Sequence, residues 1–146
     1  MRFLWAVVAL TACNPFKEGS ISGKVESKGT LGDWVLETGP CQSGQRENFF
    51  GAVAFGPEGS GIAIKVVKDP TKGWAAVINK PETCKSGAAA CKAVTVTGDG
   101  CAKFDIVVEP TNTTVNDIKV VEGKLDIECV DGNNSIKGTL NLSYCH

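Results

Sequence analysis

Seven cysteines have the widest chemical reach in this chain of 146 residues. One, Cys13, closes the opening run MRFLWAVVALTAC; the others are Cys41, Cys84, Cys91, Cys101, Cys129 and Cys145. An even set with long spacings suits three disulfides. A zinc site fits poorly, because there is no C-x-x-C and the single histidine is His146. Paired cysteines imply an oxidising compartment and leave no thiolate to act as a nucleophile. Cys84 and Cys91 enclose KSGAAA and can close a local bridge. Cys101 and Cys129 bracket an expected hairpin, so position makes them partners. The apolar pattern disagrees: Phe104, Ile106 and Val108 are even, while Val121, Gly123, Leu125 and Ile127 are odd. Aligning those faces puts the two cysteines on opposite sides. Either a bulge near TGDG restores the pair or the connectivity is different.

Catalytic constellations are scarce. A Ser-His-Asp arrangement would need His146, the last residue of the sequence, as a positioned base. The 16 carboxylates single out no acid/base pair of the glycosidase kind. GPEGSGIAIK lacks the Gly-Lys-Ser/Thr ending of a phosphate loop and reads as a hairpin turn. The residues therefore imply no cofactor, no metal and no enzyme; a small secreted hydrolase is the least favoured reading. With 15 basic and 16 acidic side chains and no basic patch, nucleic acid is not an expected partner.

CQSGQRENFFG is the most unusual stretch after the opening run. It reads in two ways. Ser43, Gly44, Arg46, Phe49 and Phe50 can form a pinned loop that presents Arg46 and a phenylalanine to a partner. The favoured reading is a turn entering a strand, with one phenylalanine in the core and Arg46 solvated, since alternating Phe is ordinary strand patterning. SGQRE at 43–47 and PTKGW at 70–74 also resemble loops of periplasmic lysozyme inhibitors, with Asn48 and Phe49 where that family carries a tyrosine. That resemblance implies a Ser-Gly element protruding into an enzyme cleft.

The opening run has Arg2, then an uncharged stretch from Phe3 to Ala12. As a helix this covers about 15 Å, half a bilayer core of about 30 Å. A charged start, short apolar middle and small residues at the end make a secretory signal peptide. Leu10-Thr11-Ala12-Cys13 resembles the lipobox of bacterial lipoproteins. The resemblance implies cleavage between Ala12 and Cys13 and a diacylglyceryl group on the Cys13 thiol. Several acyl chains at about 0.8 kcal/mol per buried methylene make a durable anchor. Asn14 after the cysteine leans toward the outer membrane over the inner one.

The elements that must position these groups are strands. ISGKVES, GDWVLET, FFGAVAFG, GIAIKVVKD, GWAAVINK, KAVTVTG, AKFDIVVEP, IKVVEGKLDIEC and SIKGTLNLSYC are short, rich in Val and Ile, and divided by Gly, Pro, Asn and Asp. In the last, Ile136, Gly138, Leu140, Leu142 and Tyr144 share one face. The expected fold is all-β: an antiparallel sandwich or barrel of about nine short strands, stapled by disulfides. Residues 1–12 read as signal, 13–20 as lipidated tether and 21–146 as one β-domain. CQSGQRENFFG and TNTTVNDIKVVEGKLDIEC are similar to segments of small lipoproteins of Gram-negative bacteria. The expected role is a non-enzymatic binding or structural module, held to a membrane by acyl chains on Cys13, with an envelope protein as a possible partner.

Overall fold

The computed structural model describes residues 17–86 and 91–146. Ala12 and Cys13, with the signal and lipid attachment assigned to them, lie outside the described residues. Ten strands form one antiparallel sheet. They are β1 (Ser20–Lys28), β2 (Trp34–Leu36), β3 (Gly39–Ser43), β4 (Gly51–Phe55), β5 (Ala63–Asp69), β6 (Gly73–Asn79), β7 (Ala93–Val96), β8 (Cys101–Val115), β9 (Ile118–Asp131) and β10 (Asn134–Cys145). Their order is β7-β6-β5-β4-β3-β1-β10-β9-β8, with β2 paired to β1.

That order forces the sheet to roll. β7 and β8 are its two ends, yet residues 97–100 alone connect them. Laid flat at about 4.8 Å per strand, the ends would be about 38 Å apart. The link from Val96 to Cys101 reaches about 18 Å at most. The sheet accordingly wraps around a single core. Val25 of β1, Leu36 of β2, Cys41 of β3, Ile64 of β5, Ile78 of β6, Ile106 of β8, Leu125 of β9 and Leu140 of β10 all belong to one buried cluster. No ladder joins β7 to β8 among the described residues, so the wrap has a seam. Two glycines permit the tight curl between β1 and β10. Gly23 (φ +98°) and Gly138 (φ +136°) turn their missing Cβ toward the Thr139 and Lys24 carbonyls of the neighbouring strand.

The cysteine pairs are Cys41–Cys145, Cys84–Cys91 and Cys101–Cys129. The parity conflict across the β8–β9 hairpin is resolved by a bulge. Cys101 faces Cys129, but Lys103 already faces Glu128, so Ala102 is the extra residue. Phe104, Ile106 and Val108 then meet Ile127, Leu125 and Gly123 face to face.

Three expectations need correction. β3 lies within a stretch read as a loop. Gly-Pro-Cys-Gln-Ser has no alternation or β-branched residue to mark it. Its pairing with β4 and the bridge from Cys41 to Cys145 hold it in the sheet. β8 and β9 are also not short, at 15 and 14 residues. TNTTV continues β8 to a turn at Asn116 and Asp117, both at positive φ (49° and 65°), as a tight hairpin turn requires. Finally, Tyr144 leaves the inward face. A register shift between Leu142 and Cys145, with Tyr144 at φ +55°, turns Tyr144 outward and Cys145 in, fully buried. The bridge to Cys41 accounts for the bulge, since only Cys145 need face the core.

Candidate binding surfaces

In an antiparallel path, alternate connections lie at the same end. One end therefore gathers Lys17, the turn after β3, the β5–β6 turn, the β8–β9 turn and the end of β10. The other end, called here the far end, gathers the β1–β2 turn and the β4–β5, β6–β7 and β9–β10 connections.

At the Lys17 end, Ser43 caps a 3-10 turn, Gly44–Glu47, its hydroxyl accepting from the Gln45 N–H at 3.4 Å. Ser43 is 2% exposed and Gly44 is buried. A Cβ on Gly44 would collide with the Phe49 ring, so the turn closes because that residue has no side chain. Gln45 ties the turn to the β8–β9 hairpin: its Nε2 donates to the Asp117 carbonyl and its Oε1 accepts from the Lys119 N–H (2.8 Å). The Arg46 Nε donates to the His146 main-chain oxygen at 2.8 Å. This segment is folded onto its own end of the sheet. Ser43 and Gly44 do not protrude, and the lysozyme-inhibitor reading loses the element it requires.

The same end does bring part of the predicted set together. Phe49 is half-buried over Gly44, while Arg46 and Phe50 are exposed. Phe50 retains 44% of its surface and lies 5.9 Å from the Trp74 ring. Trp74 belongs to the PTKGW stretch, so both loop fragments singled out in the sequence share this end.

The far end holds a groove of about 700 Å³. Phe55, Ile62 and Ala63 form its apolar part. Pro57 and the glycine-rich β4–β5 connection wall one side; Pro81 and the Cys84–Cys91 bridge wall the other. The walls meet at Gly61 (φ +71°), where a Cβ would touch the Pro81 carbonyl and Cys84 Cβ. Glu58, Glu82 and Lys85 are exposed around it. Sequence reasoning saw two turns here and no site. The signal was present: alternate connections of an antiparallel path are neighbours, which places GPEGSG beside KPETC.

The two outer faces of the rolled sheet differ in character. Across β1, β10, β9 and β8 the register sets Glu26, Lys137, Glu128 and Lys103 side by side, alternating in sign. Next to that row, Asp126 receives the Lys103 ammonium at 2.7 Å and the Thr139 hydroxyl at 3.1 Å. The hydrogen bond from Lys103, chiefly, holds the Asp126 carboxyl below the usual carboxylate range, and the same contact raises Lys103. Each charge has an opposite neighbour, the pattern of a solvated sheet face. The outer face of β4–β6 instead carries half-buried Val67, Ala75 and Val77 around Lys65, with Val53 on the same strand side but fully buried.

Among the described residues no group of three or more His, Cys, Asp or Glu side chains is placed to hold a metal ion, and no helix is long and apolar enough to cross a membrane. Compared with known proteins, the chain matches no family model, no curated protein and no solved structure.

Proposed function

We propose that this chain is a lipid-anchored protein of the cell envelope, attached through acyl groups on Cys13. Its β-domain is a non-enzymatic binding module, and the far-end groove takes the ligand. The observation that carries this reading is the placement of an apolar, proline-walled groove at the end opposite Lys17. A domain held by its N-terminal segment turns that end away from the membrane, where an envelope partner can reach it. Phe55, Ile62 and Ala63 offer room for one or two aliphatic or aromatic side chains, and Glu58, Glu82 and Lys85 can read polar neighbours. Three cysteine pairs agree with an exported chain. The alternating charges on the outer face of β1 and β8–β10 suit a domain that stands in water beside a bilayer, not within one. The Asn14 side chain after the attachment site favours the outer membrane.

A hydrolytic reading has less support. The two groove carboxylates, Glu58 and Glu82, are exposed to solvent, and among the described residues no base or oxyanion donor converges with them in the groove.

A photo-cross-linking residue at Glu58 tests the reading in intact cells, with the same probe at Lys137 on the charged face as control. A defined adduct from position 58, absent from 137 and lost on Phe55→Ser with Ile62→Ser, is expected. Equal adducts from both positions, or none from 58, would refute it.

A further inference from the structure

The Lys17 end carries the makings of a second surface. Phe50 is exposed beside Trp74, which is half-buried and packs partly against the core cluster, and the Lys68 ammonium lies 5.7 Å from the Trp74 ring. The Lys17 ammonium sits 4.9 Å from the Tyr144 ring, which the β10 bulge turned out of the core. Arg46, Lys72 and Lys119 are exposed at the same end. None of Lys17, Arg46, Lys68, Lys72 and Lys119 is held in an ion pair among the described residues. Against them stand Glu18, Glu47, Asp69 and Asp117; Glu47 is paired with Lys65, Asp69 is occupied by the Thr71 hydroxyl and the Thr71 and Lys72 N–H groups, and Arg46 already gives its Nε–H to the His146 main-chain oxygen. Aromatic rings flanked by lysines are the composition found at the headgroup level of bilayers, where an apolar ring and a polar surround are both satisfied. Exposed cation–ring pairs are individually weak.

We propose that this end is a docking surface for a phospholipid bilayer containing anionic lipid. Phe50, Trp74 and Tyr144 enter the headgroup layer, and Lys17, Arg46, Lys68, Lys72 and Lys119 meet its phosphates. The proposal rests on the lipid-anchor reading for its geometry. Cys13 is four residues from Lys17, a reach of about 14 Å at full extension. An acyl group on Cys13 therefore holds this end, and no other, against the bilayer surface. Held there, weak contacts suffice, because the tether supplies the effective concentration. Their consequence is orientation: the far-end groove is aimed away from the membrane and not left to swing.

The test uses the chain as purified from membranes, reconstituted into vesicles of phosphatidylethanolamine with a minority of phosphatidylglycerol, with and without brominated acyl chains. Trp34 pairs with Ser27 near the far end, whereas Trp74 is on the proposed surface. Bromine quenching of tryptophan fluorescence should persist in Trp34→Phe and be lost in Trp74→Phe. Lys68→Glu with Lys72→Glu should reduce it in the Trp34→Phe background. Quenching that survives Trp74→Phe, or is absent from a folded Trp34→Phe, overturns the proposal, the latter pointing to a protein or cell-wall partner for this end. Mass analysis of the Cys13 peptide from the same preparation separates the two claims. Acylated Cys13 with an unquenched Trp74 refutes the docking surface alone; Cys13 without acyl refutes the anchor, and since such a chain keeps Trp5 in its leader, Trp5→Phe is added to every variant so that Trp74 quenching still decides the surface.

Discussion

Removing the disulfides one pair at a time should destabilise the domain in an order set by the loops they close. Cys41–Cys145 spans 104 residues, Cys101–Cys129 spans 28 and Cys84–Cys91 spans 7. In the chain-entropy model these closures remove about 4.7, about 3.6 and about 2.4 kcal/mol of unfolded-state freedom respectively. Packing sharpens the order. Cys41 and Cys145 are 3% and 0% exposed within the core cluster, so alanine there also loses contacts, whereas the other four cysteines are half-buried. A domain of this size has a stability of about 5–15 kcal/mol, so loss of the first bridge removes a third of it or more. The assay is urea unfolding without reductant, followed by tryptophan fluorescence and analysed by linear extrapolation. The variants are Cys41→Ala with Cys145→Ala, Cys101→Ala with Cys129→Ala, and Cys84→Ala with Cys91→Ala. The first should show the lowest midpoint and the last a midpoint nearest the wild type. A Cys41/Cys145 variant no less stable than the Cys84/Cys91 variant would refute both the assigned connectivity and the reasoning from loop length.

Gly138→Ala should cost about 1–3 kcal/mol, because a side chain there meets the Lys24 carbonyl at a φ that L residues avoid; an unchanged urea midpoint would remove the glycine from the account of the curl. Ser27 is 2% exposed and donates to the Gly32 carbonyl at 2.9 Å, so Ser27→Ala should cost about 1 kcal/mol by the same assay, and a neutral result would deny that bond a role in the β1–β2 turn. Asp126 and Asp69 have their carboxyl pKa lowered by folding, so the stability they contribute is full above their ordinary value of 3.8 and is lost as pH falls through the lowered one. The urea midpoint should therefore drop as pH is taken below about 4, with a shallower drop in Asp126→Asn; identical acid slopes would rule out Asp126 as a contributor.

The periodic parts of the fold were legible in the sequence. Alternation in Ile136, Leu140 and Leu142, and the Gly, Pro and Asp turns, place most of the strands and the all-β class. What escaped has identifiable causes. GPCQS carries no pattern because β3 is held by neighbours and a bridge, not by propensity. Tyr144 continues the apolar alternation in sequence, but a bulge shifts the parity by one, and bulges leave no local signature where no glycine marks them. The Cys101–Cys129 conflict shows the reverse: two patterns that disagreed left either a bulge near TGDG or another connectivity, and the structure has the bulge, at Ala102. For the candidate sites, the CQSGQRENFFG segment drew attention through its composition, and Arg46 and Phe50 do reach solvent there. The groove was missed because its walls come from two connections apart in sequence, which the antiparallel order β4-β5-β6-β7 sets side by side.

The central claim is that the chain is exported and held to a membrane through its thirteenth residue. Intact-mass and peptide analysis of the protein from its native cells tests it most directly. The account predicts a chain that begins at Cys13, carries acyl groups there, and has its six other cysteines oxidised. A chain recovered with Met1 or its leader attached, Cys13 unmodified and the thiols reduced would contradict it.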